Sequence, residues 1–160
     1  MLTDGIDAAI VLGTTGAMEL AAWTVHRFIM HGWGWGWHRS HHGPRHGLFE
    51  KNDLYAVVFA AFALALIVLG PALAWPLYQI GLGMTLYGVL YFILHDGMVH
   101  RRWPVPVLNR YRYLQRLVQA HHLHHAVKEK DGAVSFGFLY APPARRLRQQ
   151  LRQRHGVSRG

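Results

Sequence analysis

Twelve of the 13 histidines in this 160-residue chain fall in two windows, residues 26–46 and 95–125. Within those windows two spacings each occur twice. His26 and His31 form H-x4-H, as do His95 and His100. His38, His41 and His42 form H-x2-H-H, as do His121, His124 and His125. Imidazole suits zinc, copper, iron and nickel, so the pattern points to metal binding without choosing the metal. The chain has no cysteine, which removes thiolate ligation, disulfides and a cysteine nucleophile together.

Ten histidines are too many for one ion and suit two. A structural zinc site is satisfied by four ligands. Two redox metals with vacant positions can bind oxygen, as soluble di-iron bundles do with Glu and His. Carboxylates are scarce here, with only 8 Asp and Glu in the chain, so the ligands would be mostly nitrogen. On a helix, positions i, i+3 and i+4 share a face. Each H-x2-H-H triplet therefore turns three imidazoles to one side, able to serve one or two metals. The H-x4-H pairs fit less well, because regular α-helical winding sets i and i+5 about 140° apart. Both members reach one site only where the helix ends or turns, and Gly32 and Gly97 are placed for such endings. His122 lies outside the repeated spacing, and His46 and His155 stand alone; these three are set aside.

The elements that must position these residues are membrane helices. From Leu54 through Leu94 there is no Asp, Glu, Lys, Arg or His, a stretch about twice the 20 residues that one span needs. Gly70, Pro71 and Pro76 punctuate it. It reads as two spans, roughly 54–70 and 73–94, joined by a tight turn at Gly70–Pro71. A third apolar stretch, about Gly5 to Val25, is interrupted by Glu19. It has Asp4 and Asp7 where a signal peptide carries positive charge, so it reads as a retained first span. The expected fold is all-α: one membrane-embedded domain over residues 1–160, its three spans extended into a histidine-rich helical cap.

The formal net charge of +9 would by itself suggest nucleic acid, but the apolar spans exclude that partner. All Lys and Arg lie at positions 27–51 and 101–159. The positive-inside rule then places the histidine windows in the cytoplasm and the N-terminus and the 70–80 turn outside. Residues 32–37 alternate Gly and Trp, which predicts an interfacial loop, and the tryptophans, with Trp75 and Trp103, read as membrane anchors. Residues 110–128 have an amphipathic helical pattern. The 143–155 tail reads as a basic helix that would meet anionic lipid or an acidic electron donor. Gly13, Gly16, Gly81, Gly83 and Gly88 are candidates for close helix contact.

Three further residues are candidates near the metals. Glu19, at membrane depth, is seven residues before His26 on nearly the same face; it could orient His26, contact substrate or bond a neighbouring helix. Asp96 directly follows His95, so its side chain is expected to point elsewhere, toward another ligand. Tyr91, with Tyr87 a turn earlier, could line the approach to the metals; core packing suits Tyr87 better.

At these residues the chain resembles the bacterial beta-carotene 3-hydroxylases within the membrane fatty acid hydroxylase and sterol desaturase superfamily. The stretches that carry the resemblance are His26 to Met30 with HGWGWGWHRSHH, then FEKNDLYAVVFA, YFILHDGMVHRRWP, AHHLHH and DGAVSFGFLYAPP. The histidine pattern alone indicates the superfamily; HGWGWGWH and HDGMVH are the more specific parts. The family pattern falls on His26, His31, His38, His41, His42, His95, His100, His121, His124 and His125. His46 and His122 look like departures from it.

The resemblance implies two non-haem iron ions, O2 and electrons from a reduced ferredoxin. It implies hydroxylation at carbon 3 of each beta-ionone ring, from beta-carotene through cryptoxanthin to zeaxanthin, by a multi-pass protein of the bacterial inner membrane. A carotenoid ketolase or a lipid or sterol desaturase would use the same centre. A metal transporter would place ionisable residues along a path near the bilayer midplane, whereas these histidines flank the spans.

Overall fold

A computed structural model of the chain describes residues 2–44, 47–105 and 110–154. His46 and His155 lie outside the described residues. The described residues form helices and connecting segments, with no strand among them. α1 spans Leu2–Thr24 and runs on through a π-helical turn, Val25–Trp33. A short α2, Trp35–His38, leads into a 3₁₀ turn, Arg39–His42. α3 spans Asp53–Leu73, and α4 spans Leu77–Tyr91 and continues as a second π-helical turn, Phe92–Val99. α5 is Arg112–His125 and α6 is Ala144–Arg154.

Three helical stretches are long and apolar enough to cross a membrane: Thr3–Trp33, Asp53–Leu73 and Leu77–Val99. Their apolar side chains mostly face outward; Leu12, Leu20, Phe62, Leu64 and Val68 are exposed. Lipid is the medium in which such a surface is stable and in which the backbone must be satisfied within the helix. α4 packs against both α1 and α3. Two small residues on α4 make that possible. A Cβ added at Gly83 would stand 2.6 Å from Thr14 on α1, and one at Gly81 would stand 3.0 Å from the Ala63 carbonyl on α3. Thr15 adds a hydrogen bond from its hydroxyl to the Gly83 carbonyl, 3.1 Å. Gly13, Gly16 and Gly88 face open space and take no part in this contact.

The α3–α4 turn is not at Gly70–Pro71. Both residues lie in the last turn of α3, and the chain reverses at Ala74–Pro76. Gly70 is small because the returning chain crosses it: an added Cβ would meet the Tyr78 amide at 2.7 Å. The Gly-Trp stretch also differs from the expected loop. The chain kinks at His31 and Gly32, then rewinds at once into α2. Trp33 and Trp37 are exposed as anchors would be, but Trp35 turns inward against the rings of His31, His38 and His42.

The helix lengths set the depth of the site. Trp75 Nε1 donates to Asp7 Oδ1 at 3.0 Å, tying the two ends opposite the histidines. At 1.5 Å per residue, His26 lies about 28 Å along α1 from Asp7, close to the full thickness of about 30 Å of a bilayer core. Glu19 lies only about 18 Å along, well inside it.

Candidate metal centre

The ten histidines singled out by spacing converge in two groups of five. In the first, Nε2 of His38 lies 3.1 Å from that of His26 and 3.2 Å from those of His31 and His42. His124 Nε2 closes the group, 3.2 Å from both His31 and His42. In the second group, His41 Nε2 is 3.1 Å from His95 Nε2, and His121 Nε2 is 2.8 Å from His125 and 3.3 Å from His100.

Each H-x2-H-H triplet is divided between the groups. His38 and His42 go to the first and His41 to the second; His121 and His125 go to the second and His124 to the first. On α5, residues at i and i+4 differ by about 40° around the helix and i+3 lies on the other side of i, while the first triplet divides where α2 gives way to the 3₁₀ turn. The two pairs therefore each serve one group while the middle members cross over, and the groups are held side by side.

Both members of each H-x4-H pair enter one group, and the winding explains how. Gly34 N–H bonds to the Ile29 carbonyl at 2.9 Å, and His100 N–H to the His95 carbonyl at 3.0 Å. Both are i→i−5 bonds; the second spans His95 to His100 itself, while the first closes across His31 and Gly32, where the helix breaks as Gly32 predicts. At His95–His100 position i+5 then returns toward the face of i. Such π-turns occur frequently at functional sites.

The outer ring nitrogens show which tautomer each histidine adopts. In the first group every Nδ1 faces an oxygen that can only accept: Phe136 O at 2.9 Å from His26, Lys130 O at 2.6 Å from His31, Asn52 Oδ1 at 2.7 Å from His38, Val127 O at 2.8 Å from His42 and Val134 O at 2.9 Å from His124. Each Nδ1 is therefore the protonated nitrogen, and each Nε2 turns a lone pair inward. Five lone pairs about 3 Å apart with no proton between them repel one another; a cation among them reverses the sign. A metal–nitrogen bond of about 2.1 Å sets neighbouring ligands about 3 Å apart, matching this spacing.

The second group is oriented by carboxylates. Glu50 Oε2 lies 3.1 Å from His41 Nδ1, and Asp96 Oδ1 lies 2.7 Å from His95 Nδ1. Asp96 therefore turns to the ring of its own neighbour, contrary to the expectation that it would serve another ligand. Arg102 gathers the acidic groups: it bonds both oxygens of Asp53, at 3.0 and 3.1 Å, and lies 3.6 Å from Asp96 and 3.7 Å from Glu50. Burial alone would lower the Arg102 pKa, but the bonds to Asp53 and the charges of Asp96, Asp53 and Glu50 raise it.

Electrostatics keep the site ready for a cation. Burial lowers His38 to about 3 and His42 to about 4, against an ordinary 6.5. Burial first, then the neighbouring histidines, also lowers His41, His121, His124 and His125. Neutral imidazole is the ligating form, so no proton need leave before metal binds. His122 is exposed.

The sequence profile of the fatty acid hydroxylase family matches residues 11–141. The chain is 59% identical to the Beta-carotene hydroxylase of Pantoea ananas, over 96% of this chain and 88% of that protein. The chain belongs to the beta-carotene hydroxylases of the fatty acid hydroxylase family. It is 57% identical to the Beta-carotene hydroxylase of Paracoccus sp. (strain PC1), over 94% of this chain and 93% of that one. Among plant members of the family, Beta-carotene 3-hydroxylase 1, chloroplastic, of Arabidopsis thaliana is 38% identical over 84% of this chain and 44% of its own length. No solved structure matches the chain.

Against this hydroxylase background the remaining candidates take definite places. Glu19 does not reach His26. Its carboxylate accepts the backbone N–H groups of Phe138, Leu139 and Tyr140 at 2.9–3.0 Å and the Tyr87 hydroxyl at 2.8 Å. It thus holds the tip of the 133–141 segment, whose Val134 and Phe136 carbonyls orient His124 and His26. Tyr91 stacks on His95 with centroids 4.4 Å apart. Glu50, Asn52, Arg102, Phe136 and Phe138 were not singled out by spacing. They stand in the stretches FEKND, HRRWP and AVSFGF that carry the family resemblance, which is where a signal for them lay.

Proposed function

We propose that this protein hydroxylates carbon 3 of carotenoid beta-ionone rings, converting beta-carotene through beta-cryptoxanthin to zeaxanthin. Two non-haem irons would serve, held by His26, His31, His38, His42 and His124 and by His41, His95, His100, His121 and His125. The observation that carries the reading is the pair of five-nitrogen sets at the end of three apolar helices, in a chain so similar to beta-carotene hydroxylases. Five ligands leave a position open where four would close a structural zinc site.

Iron in these sites supplies the one-electron and O2 chemistry that replaces C–H by C–OH, which no side chain performs as acid or base. One oxygen atom goes to the ring carbon and the other to water, with two electrons and two protons from outside. The chain's own residues bind, orient and exclude. The Nδ1 acceptors fix the ten rings. Phe136, Phe138 and Trp35 cover them against water. The spans let a bilayer-dissolved hydrocarbon arrive laterally, while a ferredoxin-type donor reaches the polar side. The lysine and arginine distribution supports the inner membrane with the histidines on the cytoplasmic face.

Expression in cells that accumulate beta-carotene tests this. Zeaxanthin and cryptoxanthin are the expected pigments; ketones alone would move the reaction to carbon 4, and unchanged pigment with metal uptake would favour transport.

A further inference from the structure

Phe138 occupies a position that neither the histidine pattern nor the metal chemistry assigns. Its ring stacks on His26 of the first group, at 5.3 Å and 6°. It also meets His95 of the second group edge-on at 5.2 Å and lies 6.1 Å from His121. It therefore faces both groups. Phe136 is buried, and among the described histidines its ring meets those of the first group, His26, His31 and His124. Phe138 is only half-buried, and it lines a crevice of about 10 Å³, room for about one water, beside His95, His121, Leu94, Met98 and Leu117.

The crevice lies at the end of the spans: His95 stands about 27 Å along its helix from Leu77, close to the edge of a bilayer core. Glu19 is well inside the hydrocarbon by the length of α1, and it grips the backbone of Phe138 itself. Irregular backbone at that depth persists only when its polar groups are satisfied by protein. Glu19 supplies those acceptors and so fixes the tip. Gly137 leaves no slack: an added Cβ would meet Glu19 Oε1 at 2.6 Å and the Tyr140 carbonyl at 2.8 Å. A side chain held that firmly can discriminate positions on a ring. Carbons 3 and 4 differ by one C–C bond, about 1.5 Å, so a stop must be fixed to better than that to choose between them.

We propose that Phe138 is the stop that sets how far the ring end of the hydrocarbon advances toward the two histidine groups, and hence which ring carbon is oxidised, with Glu19 as its positioning residue. The proposal rests on the hydroxylase reading above. A smaller side chain at 138 admits the ring farther and presents a second carbon; tryptophan narrows the mouth.

The test uses the full chain in membranes of beta-carotene-accumulating cells, comparing wild type with Phe138→Leu, Phe138→Ala and Glu19→Gln. The readouts are the ratio of carbon-3 to carbon-4 oxygenated products, the metal content of the purified proteins, and beta-carotene binding followed by tryptophan fluorescence. In Phe138→Leu and Phe138→Ala the ratio is expected to fall by at least about tenfold, the scale on which pockets discriminate small apolar differences. Glu19→Gln shifts it in the same direction. Metal content stays near wild type, and beta-carotene affinity changes at least threefold in Phe138→Ala. An unchanged ratio with metal retained overturns the proposal. Loss of metal in Phe138→Leu as well as Phe138→Ala also overturns it, since Phe138 would then be packing for the metal site. Wild type that makes no oxygenated carotenoid sinks the functional reading instead.

Discussion

His38 and His41 stand three residues apart on one short helical stretch, yet their Nε2 atoms enter different groups, 3.1 Å from His26 and 3.1 Å from His95 respectively. The same crossing occurs at His121 and His124 on α5. Two triplets that each divide between neighbouring groups hold the two groups of rings side by side. Each site then depends on its own set of Nδ1 acceptors, and these differ: carbonyl and amide oxygens around the first, carboxylates at two rings of the second.

Removing an acceptor should weaken one site selectively. Asn52→Ala leaves His38 Nδ1–H unpaired and frees the ring to change tautomer. Metal affinity at the first site is expected to fall about 10- to 100-fold, with the second site little changed. Glu50→Gln should do the reverse. Chelator competition on the purified variants, reading two classes of bound metal, checks this; equal loss from both classes in Asn52→Ala would refute the selective assignment.

Acid should release metal and loosen the fold together. His38 and His42 titrate near 6.5 when unfolded but near 3 and 4 when folded, because burial disfavours the charged ring. Between those values the unfolded chain binds more protons than the folded one, so stability is full above about pH 6.5 and declines as pH falls toward 4. Protons also compete with metal for the same nitrogens. Metal content and thermal stability measured from pH 8 to 4 are expected to fall together below about 6.5; higher stability at pH 5 than at pH 8 would contradict the burial of neutral rings.

Glu19 is predicted to act on stability through the 133–141 segment. Glu19→Ala strips acceptors from three backbone N–H groups at membrane depth, each worth about 1–3 kcal/mol. A drop in Tm of at least about 6 °C is expected, at about 2–4 °C per kcal/mol for a chain of this size, with new protease cleavage between residues 126 and 143. Glu19→Gln retains an acceptor oxygen and should lose less, and Tyr87→Phe should cost about 1 kcal/mol. Cleavage patterns and Tm identical to wild type in Glu19→Ala would show that the segment is held by something else.

Much of this arrangement is legible from residue order alone, and the rest is hidden for physical reasons. The charge-free run from 54 to 94 announces its helices because lipid demands it. The ten histidines announce themselves because their spacings recur, and His122, outside the recurrence, is exposed. What spacing hides is winding: nothing in His95–His100 says that the backbone takes an i→i−5 path there, whereas Gly32 already marks the place where the helix breaks after His26–His31. The acceptors are hidden more deeply. Val127, Lys130, Val134 and Phe136 contribute carbonyl oxygens, which every residue has. Gly70 marks a chain crossing, not a chain reversal, a distinction that only packing makes.

The most direct measurement is the number of metal ions held per purified chain. Two groups of five predict that wild type saturates at about two, and that His124→Ala and His121→Ala each retain about one and lose activity. The double variant should hold almost none, since each change removes one of the nitrogens that an open site needs. A wild type that saturates at about one ion, or single variants that keep both ions and full activity, would contradict two histidine-built sites.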